Sequence, residues 1–402
     1  MKSTKFFTII KYLCNIPVWL LSKIIMPNKN IWIFGAWFGE KYGDNSKYLF
    51  EYVNKNCPEI KAIWLTKNNE TLKLVRHKGY RAYIAYSFMG YFYTLMAAYG
   101  FVSTGYGDIN FIPTANMKMI NLWHGSGALK KIMMDDDITG KLREQTLYKK
   151  LKKLLFPFAR DNYYSCIATS ETTYKIFRSA FRTLTKRVDI IGQPRCDAFY
   201  LESPKIEFNK KLVELKQQGN KIGIYMPTHR KEGKINFSEF LINELDNMNQ
   251  IMKENNIIML IKLHFYHQND IDNLKREFSN IIFVKDEDVE QDIYEILNLT
   301  DFLITDYSSI YVDYLHSKKP ILFFPFDRED YINTDRALYS NYDDVTPGPV
   351  VYKWDDLYKS IIQIIYKQDD FVEERQKINN LFSLYQDGKN CERVVKWVKT
   401  LK

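Results

Sequence analysis

From residue 30 onward short apolar runs alternate with stretches of helical spacing, and the alternation begins twice. The first round reads NIWIFGAW (30–37) as a strand, NSKYLFEYVNKN (45–56) as a helix capped by Asp44 or Asn45, and KAIWLT (61–66) as a strand. KLVRHKG (73–79) is a helix ending at Gly79, and strands follow at 101–105, 117–125, 165–169 and 188–192. The second round opens with KIGIYMPT (221–228), continues through a helix from Ser238 to Asn255, and has strands at 256–264, 280–286, 302–307 and 320–326. Residues 308–319 read as a helix stopped by Pro320. Such alternation gives α/β domains built on parallel sheets. The expected division is an amphipathic segment at 1–28, one domain at 29–200 and a second at 201–402. A chain of 402 residues is long enough for both, and 46% hydrophobic residues can fill two cores.

The net charge of +9, from 57 Lys and Arg against 48 Asp and Glu, favours anionic partners: nucleotides, phosphates, acidic lipid or nucleic acid. Counts of 17 Gly and 12 Pro exclude collagen-like structure. Cys14, Cys57, Cys166, Cys196 and Cys391 are scattered and form no CxxC. Reduced thiols in a cytoplasmic protein are expected, not a disulfide framework or a zinc site.

Three stretches bear on membranes. In FFTIIKYLCNIPVWLLSKIIM (6–26), Lys11 and Lys23 bracket an apolar run shorter than the ~20 residues a span needs. It fits an interfacial helix, and equally a helix docked on its own domain. Residues 82–107 carry no charge, yet their tyrosines, Gly90 and Gly100 argue against a span; they read as a helix to about Tyr99 and then a buried strand. Residues 141–160 set Lys149, Lys150, Lys152 and Lys153 beside Leu151, Leu154, Leu155, Phe156 and Phe158 in a basic amphipathic helix ending at Pro157. Each lysine near an anionic leaflet contributes ~1 kcal/mol, although a solvated charged face has the same pattern. Together the segments point to peripheral attachment at an anionic membrane surface.

Chemistry-bearing residues gather at strand ends. FLITDY brings Asp306 to the end of a strand, and Ser308 and Ser309 then open a helix. Free N–H groups and the positive dipole end suit a nucleotide diphosphate there; an ordinary cap by Asp306 or Ser308 is the alternative. NLWHGSG delivers His124 to a glycine turn, and histidine is the usual proton acceptor near neutral pH. His229 follows its strand beside Arg230, and His264 ends IMLIKLH. Three histidines at three strand ends point to catalysis rather than to a membrane- or nucleic-acid-binding protein. His77, His267 and His316 fall on helices or loops and are bystanders. Asp135, Asp136 and Asp137 read as a solvated loop, so no metal site is expected.

WHGSGALKKI, YMPTHR, IKLH and TDYSSIYVDYLHSKKPILFF resemble the CDP-glycerol glycerophosphotransferases of teichoic acid and capsule synthesis. FGAWFGEKYGDNSKYLFEYV at the start, and FDREDYINTDRALY and PGP (347–349) near the end, extend the resemblance over most of residues 30–395. Phe265 departs from it, since relatives often place Pro there. The resemblance implies two Rossmann-like domains in a glycosyltransferase-B-like plan, the first on the acceptor side and the second holding the CDP donor. It implies transfer of glycerol phosphate from CDP-glycerol to a hydroxyl of a lipid-linked saccharide or a growing chain at the cytoplasmic face of the membrane, with release of CMP. By that analogy His124 is the base. His229, Arg230 and His264 contact the donor phosphates, Ser308 and Ser309 bind the diphosphate, and Asp306 orients their turn. Asp327, Arg336 and Glu171 contact the donor or support residues that do. CDP-glycerol is a substrate, and neither a cofactor nor a nucleic-acid partner is expected. The length leaves no room for a long additional domain, which leans towards a primase or short-chain enzyme. The rivals are a CDP-ribitol-dependent transferase and a nucleotide-sugar glycosyltransferase of the same architecture.

Overall fold

The computed structural model describes residues 2–127, 129–136, 155–156, 158, 162–202, 206–228, 230, 237–263, 276–334 and 336–401, with side chains from residue 13. The chain divides into two compact units. Unit 1 comprises residues 1–124, 133–197 and 389–402; unit 2 comprises residues 125–132 and 198–388.

Among the described residues, unit 1 carries strands β1 (Asn28–Gly35), β2 (Lys61–Thr66), β3 (Ala82–Ile84), β4 (Ala97–Val102), β5 (Lys118–Asn121), β6 (Ser165–Ala168) and β7 (Val188–Ile190). They pair in parallel in the order β3-β2-β1-β4-β5-β6-β7. Ile31, Trp32, Ile33 and Phe34 of β1 are all buried, as expected of a parallel strand covered on both faces. Phe34 stacks on Phe101 of β4 at 4.8 Å. Unit 2 carries β8 (Lys221–Met226), β9 (Ile257–Ile261), β10 (Ile281–Phe283), β11 (Phe302–Thr305) and β12 (Ile321–Phe323). Their order is β10-β9-β8-β11-β12, again parallel. Met248, Met252, Leu357 and Ile361 from flanking helices close its core. Each sheet reverses its winding once, between β1 and β4 and between β8 and β11. Ligands of such sheets bind beyond the strand carboxyl ends at that reversal.

Several local expectations change. The segment 308–319 forms a helix only over Ile310–Tyr314, then a tighter turn over Leu315–Ser317 that ends at left-handed Lys318. The helix expected from Ser238 to Asn255 is two, Phe237–Ile242 and Leu245–Glu254. Strand β5 stops at Asn121, so His124 stands in an irregular turn. The helix Asp44–Asn56 has Gly43 before it and no side-chain cap, because Asp44 and Asn45 are engaged elsewhere. The last helix, Asn390–Thr400, packs in unit 1 and not with the rest of 201–402. The Asp197 carboxylate accepts the N–H groups of Asn390 and Cys391 at 2.9 and 2.8 Å, and the Tyr99 hydroxyl reaches the Leu401 carbonyl at 3.2 Å. A returning helix leaves no trace in local pattern.

The N-terminal helix, Lys2–Ile24, runs through Pro17. Ile16, Val18 and Trp19 pack against Ile112, Phe156 and Phe158, and the Tyr91 hydroxyl donates to Asn15 Oδ1 at 3.0 Å. Leu13, Leu20, Leu21 and Ile24 remain exposed. Among the described residues no helix is long and apolar enough to cross a membrane. The basic run at 149–153 lies outside the described residues.

Candidate active site

In unit 1 the turn after β1 sets Trp37, Phe38 and Gly39 at φ of 48, 58 and 84. Left-handed conformations cost bulky residues free energy, so a partner must hold them. Fully buried Asp108 does so. Its carboxylate accepts the N–H of Phe38 at 2.7 Å and those of Ser103 and Thr104 at 2.8 Å. Burial raises its pKa, and the hydrogen bonds from Thr104, Phe38 and Ser103 work against that rise. The Ser103 carbonyl, just past β4, then meets Nδ1 of His124 at 3.1 Å. A carbonyl only accepts, so in the neutral ring Nδ1 carries the proton and Nε2 the lone pair. His124 is half-buried, with its ring 4.1 Å from that of Trp123 and 5.6 Å from that of Trp37.

In unit 2 the ends of β8 and β11 meet at Asp306. Its carboxylate accepts the N–H groups of Thr228 and Tyr307 at 2.8 and 2.6 Å and Nη1 of Arg230 at 2.5 Å. Nε and Nη2 of Arg230 donate to Asp327 at 2.8 and 2.9 Å, and Nη1 also donates to the Thr228 carbonyl. Burial lowers the guanidinium's pKa, but Asp306 and Asp327 more than reverse it, leaving it raised. Two carboxylates therefore absorb the charge that the sequence offered to donor phosphates. Tyr307 stacks on Tyr331 at 3.8 Å, closing a ring cage over the guanidinium.

Ser308 and Ser309 are half-buried just beyond Asp306. Ser308 Oγ accepts the Ile310 N–H at 3.4 Å, while Ser309 precedes the helix without a side-chain cap bond. Gly125 belongs to this unit and lies against Ser309: a Cβ there would stand 2.9 Å from its Oγ. The chain after Gly125 is held by antiparallel pairing, with Lys131 N–H donating to the Ala337 carbonyl and Tyr339 N–H to the Leu129 carbonyl, at 2.9 and 2.8 Å. Arg336, the next residue before Ala337, is half-buried.

The structure thus brings Arg230, Asp306 and Asp327 into one cluster, with Ser308 and Ser309 next to it. Glu171 is exposed at the start of the helix Glu171–Ala180 in unit 1. His229 and His264 lie outside the described residues. The reading of Asp135 and Asp136 as a solvated loop is corrected: Asp135 pairs with Arg182 at 2.7 Å and accepts Ser179 Oγ at 2.7 Å, and Asp136 is buried. The sequence pattern does not mark Ser103, Asp108, Asn45 and Asn121 as site residues. Asp108 had a signal, as the first charge after the uncharged stretch 82–107.

A family model described as CDP-Glycerol:Poly(glycerophosphate) glycerophosphotransferase matches residues 19–400. The teichoic acid glycerol-phosphate transferase of Staphylococcus aureus (strain NCTC 8325 / PS 47) is 26% identical over 391 residues, covering 93% of this chain and 94% of that protein. The teichoic acid poly(glycerol phosphate) polymerase of Staphylococcus epidermidis (strain ATCC 35984) is 26% identical over 375 residues, covering 90% of this chain and 49% of that protein. The chain therefore spans about half the length of that polymerase. Relatives also include teichoic acid ribitol-phosphate polymerases of S. aureus and Bacillus spizizenii. The solved wall teichoic acid polymerase TagF matches with a TM-score of 0.73 at 22% identity, covering 99% of this chain and 98% of that one. A structure of a variant soaked with CDPG matches with the same TM-score. At that identity the likeness is one of fold.

Proposed function

The chain belongs to the CDP-glycerol:poly(glycerophosphate) glycerophosphotransferase family, and we propose that it transfers glycerol phosphate from CDP-glycerol to a hydroxyl of a lipid-linked saccharide or of a growing teichoic acid or capsule chain, releasing CMP. The observation that carries this reading is the contact of His124 Nδ1 with the Ser103 carbonyl, which in the neutral ring assigns the proton to Nδ1 and the lone pair to Nε2. The acceptor hydroxyl gives its proton to Nε2 as its oxygen attacks the glycerol-bearing phosphorus. The new O–P bond forms, the P–O bond to the bridging oxygen breaks, and that oxygen leaves on CMP. N–H donors near Ser308 and Ser309 would meet the charge on the phosphates, with His229 and His264 assigned there by family resemblance. Arg230 takes a supporting part, fixing Asp306 and Asp327. Arg336 is a candidate donor contact. In this reading unit 1 serves the acceptor and unit 2 the CDP donor, following the glycosyltransferase-B-like plan, and no cofactor is needed.

We place the protein peripherally at the cytoplasmic face of the membrane. Exposed Leu13, Leu20, Leu21 and Ile24 on the N-terminal helix support this, as does the +9 charge. CDP-ribitol is the second reading for the donor, favoured by the ribitol-phosphate polymerases among the relatives. The test is incubation with CDP-glycerol, CDP-ribitol or a UDP-sugar and a lipid-linked disaccharide, with mass spectrometry of the product. Addition of glycerol phosphate is expected. Addition of ribitol phosphate selects the second reading, and sugar transfer from the UDP-sugar alone refutes both.

A further inference from the structure

Trp123, the residue before His124, sits at φ 55. A bulky residue there is strained and persists only where its surroundings over-determine it. Two asparagines do this. The Trp123 N–H donates to Asn121 Oδ1 at 2.8 Å, and the Trp123 carbonyl accepts Nδ2 of Asn45 at 2.7 Å. Nδ2 of Asn45 also reaches the Leu122 carbonyl at 3.4 Å, while its Oδ1 accepts the Arg195 N–H at 3.0 Å. Both asparagines are fully buried. Asn45 is itself fixed, because the Asp44 carboxylate takes its N–H at 2.6 Å and pairs with buried Arg195 at 2.9 Å. Asn45 stands in the first turn of a helix, where an amide could turn back to cap local N–H groups; instead it points across to the turn carrying His124.

We propose that Asn45 and Asn121 are positioning residues that keep Trp123 left-handed and so fix where the His124 imidazole stands. The proposal rests on His124 being the base. Without the clamp, Trp123 relaxes to negative φ, which rotates the peptide joined to His124. A displacement of about 1 Å at a reacting group can cost about 10²-fold in rate.

The test uses Asn45→Ala, Asn45→Asp and Asn121→Ala in the full chain, alone and combined with His124→Ala. Asp at 45 is nearly isosteric and keeps the acceptor for Arg195, but turns an oxygen towards two carbonyls. Among the described residues Asn121 Nδ2 makes no hydrogen bond, so Asn121→Ala removes a single acceptor and guards against an Asn45 variant that does not fold. Each variant is expected to lower kcat about 10–100-fold with the KM for CDP-glycerol unchanged. In the His124→Ala background each should change the residual turnover less than about two-fold, because the ring it positions is gone. A merely structural role would lower both backgrounds alike. Equal losses in both backgrounds, or folded variants with wild-type kcat, overturn the clamp and leave the base standing. Wild-type turnover in His124→Ala itself removes the base, and the clamp with it.

Discussion

Arg230→Ala separates two roles for one guanidinium: a ligand of the donor, as family resemblance implies, or a tie within the fold. The side chain is 6% exposed and gives hydrogen bonds to Asp306, Asp327 and the Thr228 carbonyl. Truncation leaves the Asp306 and Asp327 side chains, 0% and 8% exposed, without their cation. Removing one partner of a buried pair costs about 3–5 kcal/mol. In a unit of about 200 residues, ~1 kcal/mol shifts Tm by ~2–4 °C, so the melting point should fall by roughly 6–20 °C. Arg230→Lys keeps the charge but not the planar fork and should lose an intermediate amount. Adding Asp306→Asn and Asp327→Asn to Arg230→Ala should recover part of the loss, because the cost lies in uncompensated charge. Differential scanning fluorimetry reads the stability, and calorimetric titration of CMP reads the site. A variant that melts within about 2 °C of wild type yet binds CMP much more weakly would show that Arg230 faces the phosphates, and the tie would be wrong.

His124→Ala should lower kcat by ~10²–10⁴-fold with the fold intact, and near-normal turnover would discard the base. Ser309→Glu brings a carboxylate to the phosphate side of the turn and should depress donor kcat/KM and CMP inhibition together; if both hold at wild-type values, the donor binds elsewhere. Buried His316, 3.0 Å from the Tyr200 hydroxyl, has its pKa pushed down to about 4 by burial, with Asp313 opposing. The unfolded chain takes up that proton near 6.5, so stability is complete above about pH 6.5 and falls as pH drops towards 4, by about 3 kcal/mol at most. Urea midpoints across that range should show this limb flattened in His316→Gln, and an unchanged limb would assign it to other groups.

Most strands were legible because parallel strands covered on both faces must be apolar throughout; the exception is the stretch expected to be helical to about Tyr99, which holds β3 at Ala82–Ile84 and the start of β4 at Ala97 around a helix of only Phe88–Met96. KAIWLT matches β2, and KIGIYMPT overruns β8 by two residues. Reading stopped where partners are far apart in the chain. Asn45 looks like a helix cap, yet Trp123 lies 78 residues away. Arg230 looks like a cation beside a histidine, yet its carboxylates come from 76 and 97 residues further on. Local propensity also lost to packing at 308–319, where the motif was recognised and its helix length overestimated. The turn holding His124 was found from glycine spacing, but the strained φ of Trp123 has no mark in composition.

The chain passes from one unit to the other at 124/125, 132/133, 197/198 and 388/389. During synthesis this inverts the usual order in which domains mature, N-terminal first. Unit 2 has all its segments once residue 388 has emerged, whereas unit 1 waits for Asn390–Thr400, whose Val394, Val395 and Val398 are buried in it. A released chain truncated after residue 388 should therefore resist protease in unit 2 while unit 1 is still cut, and a peptide of residues 389–402 added to it should restore protection. Equal resistance of both units before the peptide is added would mean that the last helix is dispensable for closing the core that carries His124.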